Sequence, residues 1–253
     1  MVSLSTLSSN LAFSHAFQPI IDIQSNEITS YEVLLRGPNQ EPPTVVFNQI
    51  HQDAFIAFDQ ISREKAISLA SDLGLTCCLS LNFTPAGILF NNGEYLIQTI
   101  NFAKRSGIDP KQLIIEITEG EAIKDIHAFA EVLNKLRRVG ATISIDDFGA
   151  GHSGLSLLAD IQPDQVKIDM NLIRNIDTNG PRQAIVKGIK NICFDLGIDT
   201  LAEGVETLEE FDFLKTQGIS LFQGHLFSPP VFESLPKKLS AFLHQAEPVA
   251  VSL

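Results

Sequence analysis

The stretch "ISIDDFGAGHSG", Ile143 to Gly154, decides how the chain is read. An apolar run with β-branched residues passes directly into two adjacent aspartates and then into a glycine-rich segment. Asp and Gly are ordinary turn formers that end a strand by bonding their own backbone. Two carboxylates side by side at the end of a buried strand also repel each other, unless a cation sits between them. Both readings place a strand end here, and the second requires partners from other strands.

Working outward, short β-type runs alternate with longer amphipathic segments, the pattern of βα units around a parallel sheet. The periodicity predicts strands over Phe17–Ile23, Ile28–Leu35, Cys77–Phe83, Leu113–Ile117, Thr142–Ile145, Gln165–Ile168, Thr200–Ala202 and Ile219–Phe222. Helical patterns lie between them, including Phe58–Gly74, Ile126–Gly140 and Gly180–Gly197, and each of these three ends in Gly, a common C-cap. The first two strands are joined by "QSNE", too short for a helical crossover, so that pair is expected to be antiparallel. The prediction is an α/β fold, a modified TIM (β/α)8 barrel with an antiparallel first strand pair, whose chemistry sits at the C-terminal ends of the strands.

The length of 253 residues suits one such barrel as well as two small domains. With no repeat, linker or composition shift, one domain is expected over 12–245, with frayed ends at 1–11 and 246–253. Hydrophobic residues make up 44% and charged residues 19%, a balance that excludes extended disorder. The formal net charge of -12 repels DNA, RNA and anionic lipid, so a phosphate substrate must meet local positive charge such as a bound cation. Three cysteines without paired spacing, no basic leader and no apolar run of spanning length predict a cytoplasmic protein without a membrane anchor.

Polar residues recur at the predicted strand ends: Glu32, Asn82, Glu116, Asp146 with Asp147, Lys167 with Asp169, Glu203 and Gln223. Each has a plain structural reading by itself. Glu32 suits an exposed edge, Asn82 a turn, Glu116 an outward position of an alternating strand, and Glu203 a first helical turn. Their coincidence at one barrel mouth favours a shared cation, because so many buried carboxylates repel without one. All-oxygen ligands suit Mg²⁺ or Mn²⁺, and the six histidines show no zinc-site spacing.

The ordered motifs "YEVLLRG", "LSLNFTP", "IIEITEGEA", "ISIDDFGAGHSGLSLL", "QVKIDM", "LAEGVET" and "FQGHLFSPP" resemble the EAL-domain cyclic di-GMP phosphodiesterases, from about Phe17 to Pro230. That resemblance implies a metal-dependent hydrolase that opens cyclic di-GMP to linear pGpG by a two-metal mechanism. It implies one cation held by Glu32, Asn82, Glu116 and Asp146, and a second held by Asp146, Asp147 and Glu203. Lys167 resembles the lysine that orients the attacking water, while the general base stays open between Glu203 and another group. The resemblance further implies substrate contacts from Leu34, Arg36 and Gln223, a loop-stabilising role for Glu119, and a homodimer.

The chain departs from the family pattern in reading EVL at the first motif, and in Ala150, His152 and Gly154 of the loop after strand five. Pro229 stands where a basic residue is common. The altered loop supports a second expectation, a silent EAL module that binds cyclic di-GMP or a protein partner as a regulator. A third takes Lys167 as a Schiff-base lysine of a barrel aldolase, against which the surplus of carboxylates argues.

Overall fold

The structure, a computed structural model, describes residues 11–118, 123, 125–150 and 155–237. Its strands are β1 (Ser14–Asp22), β2 (Glu27–Arg36), β3 (Cys78–Phe83), β4 (Leu113–Thr118), β5 (Thr142–Phe148), β6 (Gln165–Ile168), β7 (Asp199–Ala202), β8 (Leu221–Phe222) and β9 (Val231–Phe232). From β2 to β8 each strand pairs in parallel with the next. The strand β1 closes the ring by pairing antiparallel with both β2 and β8. The result is a closed eight-stranded barrel with one reversed strand, and β9 adds to the upper half of β1.

The reversal follows from the short connection between β1 and β2. Asp22 accepts the backbone N–H of Gln24, and Asn26 adopts a left-handed φ of 58°, a conformation that Asn tolerates. Four residues cannot carry a crossover, so the chain folds straight back. One consequence reaches the site: the N-terminal half of β1, not its C-terminal end, lies beside the C-terminal ends of the parallel strands.

Helices α1 (Pro43–Phe47), α2 (Phe55–Asp72), α3 (Pro85–Leu89), α4 (Glu94–Arg105), α5 (Ile126–Val139), α6 (Leu155–Ile161), α7 (Met170–Ile173), α8 (Gly180–Leu196) and α9 (Leu208–Thr216) surround the barrel. Their ends are set by local chemistry. Asp125 caps α5 by accepting the Ala128 N–H, and Asn179 caps α8 by accepting the Arg182 N–H. Gly140 and Gly197 end the same two helices in left-handed conformations that a side chain would disfavour.

The main core lies between strands and helices. Outward positions such as Leu79, Leu81, Ile115, Ile143 and Ile145 pack against Ala66, Ile67, Phe129, Leu133, Val186 and Ile189 from the helices. With period two, this assigns the alternate strand positions to the lumen. Ser30, Ser80, Ile114, Ser144, Gln165, Leu201 and Ile20 occupy such positions, all buried, and form the floor beneath the mouth.

Some boundaries differ from the sequence reading. The strand β1 starts at Ser14 because Ser14, His15 and Ala16 find partners in Arg36, Leu35 and Leu34. In β5, pairing continues past the aspartates to Phe148. Ile219 donates to the Leu214 carbonyl at the end of α9, which shortens β8 to Leu221–Phe222. The strand β9 is two residues long and follows two prolines, so no periodicity announces it.

Gly224 joins β8 to the return segment at φ 155°, where an added Cβ would overlap the backbone of Val205. Val205 itself donates to the Gln223 carbonyl and accepts from Leu226. Gly224→Ala is therefore expected to cost on the order of 2 kcal/mol in urea unfolding, because it must break this close approach.

Candidate metal centre

Every strand of the ring sends one polar side chain into the mouth: Gln18, Glu32, Asn82, Glu116, Asp146, Lys167, Glu203 and Gln223, the last two from the positions just past β7 and β8. All but Gln223 follow from strand alternation, since the residue two positions further inside belongs to the floor. Glu116 stands above Ile114, Asp146 above Ser144 and Lys167 above Gln165. The site is a lumen face whose chemistry switches from apolar and hydroxyl to charged within one step of the pleat.

Lys167 occupies the centre and is 1% exposed. Its Nζ lies 2.5 Å from Asp146 Oδ1, 3.2 Å from Glu203 Oε2, and 3.4 Å from both Glu32 Oε2 and Glu116 Oε1. Burial would push this ammonium down, but Asp146, Glu116, Glu32 and Glu203 more than reverse that and hold it well above the usual lysine value. A lysine kept protonated is no carbonyl nucleophile, so the geometry opposes Schiff-base chemistry.

The acids feel the converse. Burial pushes the Glu116 carboxyl up to about 8, with Lys167 opposing and Glu32 and Asp146 adding to the shift. Burial also raises Glu203 well above the carboxylate range, again against Lys167. Asp147 is raised by burial and by its neighbour Asp146.

The carboxylate oxygens form two groups that share one residue. Oxygens of Glu32, Glu116 and Asp146 lie within 4.8 Å of one another, as do those of Asp146, Asp147 and Glu203. The backbone explains how adjacent residues serve different groups. The β5 register against β6 breaks between Ile145 and Phe148, and Asp147 takes a left-handed φ of 54°. This bulge turns Asp147 away from the alternation that directs Asp146 inward. The Asp147 carbonyl then accepts the Ala150 N–H, so the turn begins at the second aspartate itself.

Partners around the ring hold its members in place. Ser80 Oγ donates to Glu116 Oε1 at 2.8 Å. The Gln223 amide donates to Glu32 Oε2 at 2.5 Å and to Gln18 Oε1 at 3.2 Å. The Asn82 amide nitrogen lies 3.4 Å from Glu32 Oε1. Gln18, buried in the same network, is absent from the sequence-based set. Its signal is a lone polar residue between Phe17 and Pro19 in an apolar strand, on a strand whose reversed direction cannot be read from that residue.

Two acid oxygens, Glu116 Oε2 and Glu203 Oε1, are buried without a hydrogen-bond partner. Five carboxylates face one ammonium. Lone pairs without donors, in an all-oxygen set with surplus negative charge, fit hard divalent cations.

Beside Asn82 a cavity of about 330 Å³ opens over the top of β2 and β3, lined by Leu34, Phe47, Phe55, Phe58 and Asp59 among others. Leu34 therefore lies where an apolar contact is available. Arg36 stands at the end of β2, donating to the Leu35 carbonyl, and Gln223 is engaged within the ring. Glu119, His152 and Gly154 lie outside the described residues.

An acid-mouthed barrel with one reversed strand is the class of protein that this fold and site define. The chain belongs to the EAL domain family, whose model matches residues 1–230. It is similar to a standalone EAL protein from Vibrio cholerae O395, solved in a c-di-GMP bound form, at 42% identity and a TM-score of 0.88 over 94% of this chain and 100% of that one. It is also similar to Klebsiella pneumoniae BlrP1 in its manganese and cy-diGMP complex at pH 9.0, at 40% identity and a TM-score of 0.83 over 89% of this chain and 57% of that one. Among curated relatives, the blue light- and temperature-regulated antirepressor BluF of Escherichia coli K12 is 36% identical over 222 residues, 87% of this chain and 55% of that protein. The chain spans about half or less of the length of the first curated relatives it matches. No helix among the described residues is long and apolar enough to cross a membrane.

The raised acids make stability depend on pH in a defined direction. A carboxyl whose folded pKa lies above its unfolded value binds a proton more tightly when folded, so stability falls as pH rises between the two values. In cation-free buffer the midpoint of urea unfolding is expected to fall from pH 7 to pH 8, through the region of Glu116 at about 8. That window lies above the ordinary value of His15, which burial lowers to about 3 and whose effect is confined to more acid solution. Added Mn²⁺ should abolish the fall, and a midpoint that rises over this window would contradict the assignment.

Proposed function

We propose that the protein is a cyclic di-GMP phosphodiesterase that hydrolyses cyclic di-GMP to linear pGpG with two divalent cations, Mg²⁺ or Mn²⁺. The observation that carries the reading is the pair of carboxylate groups sharing Asp146, assembled around a buried Lys167. Glu32, Asn82, Glu116 and Asp146 would hold one cation, and Asp146, Asp147 and Glu203 the other. Two cations at these positions supply positive charge for an anionic phosphodiester and acidify the water that attacks it.

The chain's own residues then have distinct tasks. The Lys167 ammonium, anchored by four carboxylates, donates toward the attacking water and keeps it aligned with the phosphorus. Burial at the base of the mouth prevents that ammonium from drifting to solvent. Glu203, whose carboxyl is raised by burial, would take the proton that the attacking water loses as the new P–O bond forms, and the departing 3′-oxygen takes up a proton as the P–O3′ bond breaks. One water is consumed, the new P–O bond yields a 5′-phosphate, and the departing 3′-oxygen ends as a hydroxyl.

Substrate binding falls to the rim. The half-buried Leu34 and the rings of Phe47 and Phe55 offer apolar contact for a guanine. Arg36, at the end of β2, presents a guanidinium suited to a phosphate oxygen. Gln223 requires release from Glu32 before it can meet a base, so it acts more readily as a brace for the ring.

A second reading is supported by the likeness to BluF: a module that uses the same nucleotide site to regulate a protein partner. The ring holds every acid that the family resemblance implies for the two cations, which supports the enzyme reading. Incubation with cyclic di-GMP and Mn²⁺ or Mg²⁺ is expected to yield pGpG by chromatography. Glu32→Ala should abolish turnover, and Lys167→Ala should lower kcat by about 10²-fold or more, the scale for misplacing a reacting group. Folded wild-type protein that binds the nucleotide without product in either metal would overturn the enzyme reading in favour of the regulator.

A further inference from the structure

We infer that Arg63, on the barrel-facing side of α2, is a positioning residue for the cation ligand Asn82. The inference rests on the proposed cation-binding role of the ring and adds to it a residue outside the mouth.

Arg63 is 4% exposed, and a buried guanidinium needs partners that repay its desolvation. Its Nη1 bonds Asp59 one turn earlier on α2, and also reaches the backbone carbonyl of Asn82 at 3.3 Å. Its Nη2 donates to Gln60 Oε1 at 3.3 Å, and Gln60 is itself held by Thr99 Oγ1 of α4 at 3.0 Å. The planar group lies over the ring of Phe83, 3.8 Å from its centroid. One side chain therefore grips the end of β3 at two consecutive residues and fixes it to α2 and, through Gln60, to α4.

The grip falls where the pairing with β2 has already ended. Parallel pairing of β3 with β2 ends at Glu32 and Ser80, so on that edge the described pairing stops before Asn82. On the other edge Asn82 pairs with Glu116, and immediately beyond β3 Thr84 caps the short helix α3. The Asn82 side chain must meet the Glu32 and Glu116 oxygens from this strand end, and a shift of the backbone moves it off the ring. A lysine would keep a charge beside Asp59, but its single nitrogen lacks the fork that reaches Asn82, Gln60 and the Phe83 face together.

The test measures Mn²⁺ binding directly, by the loss of the free Mn²⁺ signal in electron paramagnetic resonance, on the full chain without nucleotide. Arg63→Lys is expected to weaken Mn²⁺ binding about tenfold or more, the scale for removing a partner that orients a metal ligand, while thermal unfolding shifts by only a few degrees. Arg63→Met should weaken it further, and if that variant does not fold, Arg63→Lys decides alone. Wild-type Mn²⁺ affinity in folded Arg63→Lys overturns the inference and leaves the proposed function standing. Equal weakening by a Lys65→Met control on the same helix would also overturn it, because the effect would then belong to α2 in general. Absence of Mn²⁺ binding by the wild type overturns the cation reading and this inference together.

Discussion

Mutual repulsion among carboxylates governs this molecule. Five acids converge on one barrel mouth, and four of them lie within 3.4 Å of a single buried ammonium. At such distances, away from water, like charges cannot all be ionised without positive charge between them. Lys167 balances one of them, and burial pushes the Glu116 and Glu203 carboxyls up. The remaining demand for cations is therefore a property of the barrel's own side chains, expressed as raised acid pKa values and as acid oxygens without donors.

The scaffold meets that demand by assigning jobs to layers. Apolar strand positions facing outward join the helices in one core, which leaves the lumen face to the site. The lumen floor of serines, Gln165 and aliphatic residues separates the charged ring from the opposite end of the barrel. A reversed β1 brings Gln18 into the ring, where it ties Gln223 and, through it, Glu32. Glu32 and Glu116 are thus held by amide and hydroxyl partners whose removal would cost geometry before it cost charge.

The paired aspartates are divided by the backbone. An unbroken strand would send Asp146 and Asp147 to opposite faces, placing the second one in the core against the helices. The bulge at Asp147 instead carries it over the rim toward Glu203, at the expense of a left-handed conformation that Asp tolerates better than most residues. The turn reading and the cation reading of this stretch are one solution: the turn conformation is what allows the second carboxylate to join the site.

Much of this was legible in the residues. Alternation within the strands, glycines at helix ends and the short "QSNE" connection determine a parallel barrel with an antiparallel start, because these signals are local and act within a few residues. The acids at strand ends were legible too, since a charge inside an apolar run has few bland explanations when it recurs strand after strand. Gln18, Ser80 and Arg63 were not, because a lone polar residue in an apolar segment acquires meaning only from what lies across the barrel. Nor does sequence show that Gln223 braces Glu32, that Asp147 turns over the rim, or that Lys167 sits among four acids. Those depend on distances between residues far apart in the chain, which closure of the barrel sets and local propensity does not.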